Sequence, residues 1–258
     1  MHRRLLLAAL VAAAVVVGPS AAQAATLEPF DGIRQTMLLT GAPDEVNLVS
    51  VTDKKGGVVV IEDINMPLQL SGARNCVALD ERTVSCMNVK RVALDLNDGP
   101  DVATLATSRE VWLSGGAGND RYTALGTDRP SQVDFDGGFG FDTANYFYAT
   151  EGVHVGVDGA PFDGRPGDND RIDREVERVI GSEFPDVLTG TQRSQELHGS
   201  DGDDQIAGGP GQDVLDGGRG NDRIDAVDGE LDTIDCGGWL LDQVMADPVE
   251  ASIVGCAG

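Results

Sequence analysis

GSEFPDVLT, GTQRSQELH, GSDGDDQIA, GGPGQDVLD and GGRGNDRID occupy residues 181–225, and VDGELDTID occupies residues 227–235 after one extra residue, Ala226. Position six of these nine-residue units holds Asp186, Gln195, Asp204, Asp213, Asp222 and Asp232. Position eight holds Leu188, Leu197, Ile206, Leu215, Ile224 and Ile234. One apolar residue at a fixed place in every unit predicts an all-β solenoid, a parallel β-roll in which position eight lies on a short strand and points inward.

The other positions of the repeat predict calcium binding. Glycines at positions one, two and four allow a tight turn with inward-facing carbonyl oxygens, and the aspartate adds a charged oxygen. Calcium takes about six to eight oxygen ligands, so one turn supplies half a coordination shell. The pattern G-G-x-G-x-D-x-U-x is typical of calcium-binding β-helix repeats. The candidate ligands are Asp120, Asp142, Asp186, Asp201, Asp204, Asp213, Asp222, Asp232, Gly199, Gly202, Gly208, Gly211, Gly217 and Gly220.

Half a shell needs a second turn. If nine residues make half a coil, units n and n+2 stack, which predicts one ladder of Asp186, Asp204 and Asp222 and another of Gln195, Asp213 and Asp232. The interval between Asp204 and Asp222 is the best candidate, and that between Asp213 and Asp232 is next. The Asp186 unit has Phe184 in place of a glycine, and Gln195 has no charge. We expect Asp228 and Glu230, which lie outside position six, to contribute much less.

Less regular copies precede this block. GGAGNDRYT at 115–123 contains Asp120, GGFGFDTAN at 137–145 contains Asp142, and a weaker DGPDVA lies at 98–103. For these isolated copies the alternative, that Gly and Asp only mark turns, stays open. The predicted organisation is an N-terminal β-strand domain or cap at 25–93, a degenerate roll with an insert at 94–180, the calcium-binding roll at 181–235 and a C-terminal cap at 236–258.

Several features predict secretion. Arg3 and Arg4, the apolar run 5–17 and the Ala22-Gln23-Ala24 cleavage motif form a Sec-type signal peptide at 1–24. An even cysteine count in an exported chain favours disulfides. Three pairings are possible, and we favour Cys76–Cys86 and Cys236–Cys256 because each pair is close in sequence. The net charge of −24 predicts no nucleic-acid partner, and no later stretch is apolar enough to span a membrane.

With these residues in view, the chain resembles secreted RTX, or haemolysin-type, calcium-binding repeat proteins, in particular an actinobacterial group. Shared features are the segment 76–86 between cysteines, GGFGFDTANY, VHVGVDG and the DTIDCGG tail. The resemblance implies a β-roll that folds when calcium binds, with position-six aspartates as ligands. Toxins and proteases with such repeats usually leave through a C-terminal signal, whereas this sequence has an N-terminal one. They also carry a separate catalytic or pore-forming domain, which is not visible here.

The sequence predicts a non-enzymatic protein, because the zinc-protease and nucleophile-elbow motifs are missing. A β-helix polysaccharide-active enzyme is the less favoured reading. A calcium-stabilised module that binds a cell-surface glycan or a protein is the other alternative. It rests on Phe135, Phe139, Phe141, Tyr146, Phe147 and Tyr148, which form either a core patch or an exposed platform.

The processing prediction is tested by intact-mass measurement of the secreted protein. We expect the chain to start at Ala25 and to take up no alkylating reagent in its native form. After reduction, alkylation should add four adducts, one for each cysteine. Four reactive thiols in the unreduced protein would contradict the disulfide assignment.

Overall fold

The computed structural model describes residues 25–29, 36–41, 45–70, 75–238, 241–249 and 252–256. The predicted signal peptide, residues 1–24, lies outside them. The described residues form β-strands joined by turns, with no helix, as predicted. No helix there has the length and apolar character needed to cross a bilayer.

The strands are short. In chain order they are β1 (Ala25–Pro29), β2 (Thr36–Thr40), β3 (Leu48–Lys54), β4 (Val58–Asp63), β5 (Leu68–Leu70), β6 (Cys76–Ala78), β7 (Thr83–Met87), β8 (Arg91–Asp95), β9 (Val102–Ala106), β10 (Glu110–Ala117), β11 (Arg121–Leu125), β12 (Gln132–Phe139), β13 (Thr143–Tyr148), β14 (His154–Gly156), β15 (Arg171–Ile172), β16 (Arg178–Ile180), β17 (Val187–Thr189), β18 (Glu196–His198), β19 (Gln205–Ala207), β20 (Val214–Asp216), β21 (Arg223–Ala226), β22 (Thr233–Asp235), β23 (Gln243–Ala246) and β24 (Ser252–Val254).

Three sheets contain these strands. The first has the order β15-β12-β10-β8-β2-β1-β5, the second β24-β22-β20-β18-β16-β13-β11-β9-β3-β4-β7-β6, and the third β14-β17-β19-β21-β23. From β8 onward every pairing is parallel, because the chain always returns to a sheet in the same direction. The second sheet runs the whole length of the molecule. Before the insert, successive strands of the coil alternate between the first and second sheets. After the insert, they alternate between the second and third sheets.

The strands of the C-terminal block confirm the predicted half-turn. Successive nonapeptides alternate between the second and third sheets, so that Val187 pairs with Gln205 and Glu196 pairs with Val214, each one full coil apart. The apolar residue at position eight of every unit is 0–2% exposed. Since burial of each such side chain contributes about 1.5–3 kcal/mol, these six residues form the core of the roll.

The N-terminal strands belong to the same sheets. Strands β2 and β3 pair in parallel with β8 and β9, while β4, β7 and β6 continue the second sheet with antiparallel pairings. The disulfide Cys76–Cys86 links β6 to β7, and Cys236–Cys256 links the end of β22 to the segment after β24. These are the two bridges that the sequence favoured. The domain boundaries stay a prediction.

The aromatic residues divide between core and surface. Phe135 and Tyr146 are 2% and 1% exposed and pack with Tyr122 at the centre of the coil. Phe139 and Tyr148, in contrast, are 83% and 58% exposed. Part of this aromatic segment therefore lies in the core and part is exposed to solvent.

A buried carboxylate holds the insert against the coil. The period is lost between β13 and β16, and Asp170 immediately precedes β15 in this stretch. Its Oδ2 accepts hydrogen bonds from the hydroxyls of Tyr122 and Tyr146 at 3.4 and 3.2 Å. Its Oδ1 accepts from Ser131 Oγ at 3.1 Å and from the Val133 amide at 2.8 Å. One side chain thus connects four positions of the coil to the insert.

The surroundings of Asp170 disfavour its charge. The residue is fully buried, and burial, together with the nearby Asp168 carboxylate, raises its pKa to about 7. Asp168 itself is paired with Arg165, whose Nε lies 2.9 Å from the carboxylate, and Asp163 forms a β-bridge with Asp170. The protonated form is therefore favoured in the folded protein relative to the unfolded chain.

This pKa predicts a pH effect on stability. Because the folded protein keeps the Asp170 proton where the unfolded chain has lost it, stability should fall as the pH rises from about 4 to about 7. Asp170→Asn removes the titration while keeping the shape. We expect the stability of wild type relative to this variant to fall by on the order of 4 kcal/mol across that window. Urea denaturation at several pH values in saturating Ca²⁺ measures it, and a pH-independent difference would contradict it.

Candidate metal sites

Position-six carboxylates form hydrogen-bonded ladders along the turns. In each rung, the backbone N–H of one position-six residue donates to Oδ1 of the position-six aspartate one coil further on. On the edge of the third sheet these bonds run from Asp186 to Asp204 at 2.8 Å and from Asp204 to Asp222 at 2.9 Å. On the edge of the second sheet they run from Gln195 to Asp213 and from Asp213 to Asp232, both at 2.8 Å. The two ladders are those that the nine-residue period predicted.

The second oxygen, Oδ2, of most of these carboxylates has no hydrogen-bond partner. Among the described residues, Oδ2 is buried and has no hydrogen-bond partner in Asp101, Asp120, Asp142, Asp204, Asp213, Asp222 and Asp242. A buried anionic oxygen without a partner is strongly unfavourable unless a cation neutralises it. The repeated orphan oxygen fits a hard divalent cation between successive turns, and it has no role in a turn that merely reverses the chain.

The glycines act in two different ways, one of which the sequence did not predict. Position-one glycines have no positive φ; they are needed for space, since a Cβ on Gly217 would lie 2.5 Å from Oδ2 of Asp222. Position-four glycines do need their conformation: Gly220 has φ 152°, and a Cβ there would overlap the carbonyl oxygen of Gly202. Glycine thus lets carbonyl oxygens and carboxylates of adjacent coils approach one another.

The ladder on the second sheet is longer than the sequence indicated. The same bond joins Asp101 to Asp120 and Asp120 to Asp142, each at 2.8 Å, and Asp142 then donates to Oε2 of Glu177. Because β16 and β18 continue the sheet, the copies that looked isolated share one edge with Gln195, Asp213 and Asp232. They are therefore rungs of one array.

Three members of the ladders were missed as candidate ligands. Asp101 lies in the weak DGPDVA copy, where Asn97 and Gly99 supply positive φ at positions two and four. That spacing was a usable signal. Glu177 follows the insert and has no flanking glycines that reveal its position. Asp242, in contrast, is position six of the unit GGWLLDQVM at 237–245, so its preceding glycines were also a usable signal. At the N-terminal end the amide of Asn47 donates to Oδ1 of Asp101, which places an uncharged residue on the first rung.

Burial dominates the electrostatics of the ladders. It raises the pKa of Asp204 to about 8, that of Asp142 to about 7 and those of Asp213 and Asp222 to about 6. The hydrogen bond from the preceding coil lowers each pKa, and neighbouring carboxylates raise it again. A cation held between the coils would favour the charged forms.

Not every predicted ligand faces the ladders in the same way. Asp186 accepts hydrogen bonds from the amide and hydroxyl of Ser182 and from the Val153 amide, so the protein itself satisfies its carboxylate. Gln195 accepts from the Thr191 amide within its own turn. Asp201 lies at position three; its side chain is 49% exposed and sits 3.8 Å from Arg219, away from the ladder.

The structure changes the expectation for Asp228. The sequence grouped it with Glu230 as a residue of little importance, but its carboxylate lies within 4.8 Å of those of Asp213 and Asp232. The extra residue at Ala226 lengthens this coil by one and brings the side chain inward. Of these two residues, only Glu230 stays outside the group that Asp228 forms with Asp213 and Asp232.

Parallel coils of nine-residue units, with a carboxylate at position six of five of the six C-terminal units and an apolar residue inside each, define a β-roll repeat protein. Comparison with protein families agrees. The model of the RTX calcium-binding nonapeptide repeat matches four copies, over residues 109–126 and 189–224. The chain thus contains RTX-type calcium-binding repeats. No curated protein matches it.

The ladder predicts which carboxylates matter for calcium. Asp204→Asn combined with Asp222→Asn removes both charges from one interval while keeping the hydrogen-bond geometry. We expect the calcium midpoint, followed by circular dichroism, to rise at least about tenfold, because affinity depends on ligand charge. The control, Asp203→Asn with Glu230→Gln, removes the same charge from exposed positions outside position six. Equal midpoints for the two double variants would refute the assignment.

Proposed function

We propose that this is a secreted calcium-binding protein whose repeats bind Ca²⁺ between stacked turns and fold as they bind it. The observation that carries the proposal is the repeated buried Oδ2 without a hydrogen-bond partner, seen for example in Asp204, Asp213 and Asp222. Calcium supplies the positive charge and the high coordination number that these oxygens, together with the turn carbonyls, call for.

Coupling of folding to binding follows from the composition of the core. Each nonapeptide of the C-terminal roll buries one large apolar side chain, while its position-six aspartate is also buried. Ordering nine backbones costs several times what one Leu or Ile contributes, before hydrogen bonds are counted. Unneutralised carboxylates one coil apart would oppose folding further. Ion binding and folding are therefore expected to be one event, as in other metal-dependent small cores.

Secretion and the absence of enzymatic activity complete the proposal. The N-terminal sequence supports export, and the two disulfides fit an extracellular protein. Among the described residues, the buried acids of the C-terminal roll follow the period of the coil, which supports a structural role for the ion. The resemblance to the actinobacterial group of RTX proteins supports the same role.

A second candidate function is binding of a glycan or protein by the calcium-stabilised coil. The specific observation is the exposed aromatic pair Phe147 and Tyr148, whose rings meet edge to face at 5.4 Å, together with Phe139. Exposed aromatic side chains offer large apolar contact areas at low entropic cost. This role would add to calcium binding and does not replace it.

Removal of calcium tests the main proposal. We expect the mature protein in chelator to lose most of the far-UV β signal that the C-terminal roll contributes. It should regain this signal cooperatively on titration with Ca²⁺. The calcium concentration at the midpoint should be about 10⁻⁴–10⁻³ M, which is typical of extracellular modules. Magnesium at the same concentration serves as the control, because it requires a smaller octahedral shell. An unchanged spectrum and thermal midpoint in chelator would refute calcium-coupled folding.

A further inference from the structure

The last interval of the second-sheet ladder departs from the regular coil length of the neighbouring C-terminal units. Here the coil is one residue longer: Val214 pairs with Thr233, whereas Glu196 pairs with Val214 at the regular distance. The additional residue, Ala226, ends β21, and the turn to β22 begins directly after it. The turn therefore has a different course, and it offers a carboxylate that does not occupy position six.

That carboxylate belongs to Asp228. One oxygen each from Asp213, Asp228 and Asp232 lies within 4.8 Å of the others. Within the described residues this is the one group of three or more acidic, histidine or cysteine side chains so close together. The Asp204 and Asp222 interval, in comparison, brings together two position-six carboxylates and no third.

The group points to a ligand through its orphan oxygens. Asp213 is 1% exposed, and its Oδ2 is buried without a hydrogen-bond partner. Oδ2 of the half-buried Asp228 is likewise buried and has no hydrogen-bond partner. Three carboxylates at this separation repel one another in the absence of a cation, and no described lysine or arginine is paired with Asp213 or Asp228.

Other contacts hold Asp228 in this orientation. Its Oδ1 accepts the Glu230 amide at 2.7 Å, which leaves Oδ2 facing the two ladder carboxylates. The Asp228 and Gly229 amides donate to Oδ2 of Asp247, at 3.3 and 2.5 Å, so the turn is tied to the segment that follows β23. The nearby Cys236–Cys256 disulfide closes the same end of the coil. The turn is thus ordered by contacts that do not involve a metal.

We propose that Asp213, Asp228 and Asp232 form a three-carboxylate calcium site that binds the tightest ion of this protein. The proposal rests on the calcium-binding function above and adds a ligand from outside the repeat pattern. Affinity for Ca²⁺ rises with the number of charged ligands, and among the described residues three carboxylates come this close together only here. Calcium would then occupy the C-terminal end of the ladder first and stabilise that end before the intervals with two carboxylates fill.

A matched pair of substitutions in the full mature chain tests the site. Asp228→Asn and Glu230→Gln each remove one negative charge from the same turn. Isothermal titration with Ca²⁺ at fixed ionic strength should show one ion bound more tightly than the rest in wild type. In Asp228→Asn we expect the affinity for this ion to fall at least about tenfold, and in Glu230→Gln to change less than about twofold. Circular dichroism in saturating Ca²⁺ checks that both variants are folded.

A measurement on the wild type removes any dependence on the folding of the variant. The carboxyl ¹³C resonance of Asp228 should shift during the first equivalent of Ca²⁺, before that of Asp204. If Asp228→Asn binds calcium like wild type, or the Asp228 resonance stays fixed while that of Asp204 moves, the three-carboxylate site is refuted and the calcium-binding function stands. If the wild type binds no Ca²⁺ at all, both proposals fail.

Discussion

The structure depends on one arrangement: at most turns a carboxylate lies inside and uses only one of its oxygens within the protein. Oδ1 accepts the amide of the preceding coil and fixes the register between coils. Oδ2 is buried and, at most rungs, unpartnered. The same side chain therefore aligns the backbone and makes the aligned state unfavourable until a cation is present. Repetition along the stack turns this local conflict into a property of the whole roll.

The two halves of the molecule use this arrangement to different extents. In the C-terminal roll the apolar core is one large side chain per nonapeptide, so apolar burial alone contributes little stability there. Before the insert, the coil contains Tyr122, Phe135 and Tyr146 as well as Asp170, which gives that half a larger core. Both halves share the twelve-stranded sheet, so the N-terminal half provides a template on which the coils of the C-terminal roll can stack.

Departures from the nine-residue period change which carboxylates come together. The insert between β13 and β16 changes which sheet faces the long one, and Glu177 takes the place of a repeat aspartate as the hydrogen-bond acceptor for the Asp142 amide. The single extra residue at Ala226 shifts a turn so that Asp228 joins two position-six carboxylates. A change that would disrupt a sheet of long strands is tolerated here, since each turn contacts only its neighbours along the stack.

The sequence alone determined the β-roll, the n to n+2 stacking, the inward Leu or Ile and the position-six carboxylates, because a nine-residue period specifies the environment of every position in it. The cysteine spacing indicated both bridges. Only the tertiary structure decided that Asp120 and Asp142 lie on the same edge as Asp213, that Glu177 extends the ladder, and that Asp228 turns inward while Asp201 turns away. These facts depend on how far an insert or an extra residue displaces the next coil. A period read along the chain loses that information wherever the period itself is broken.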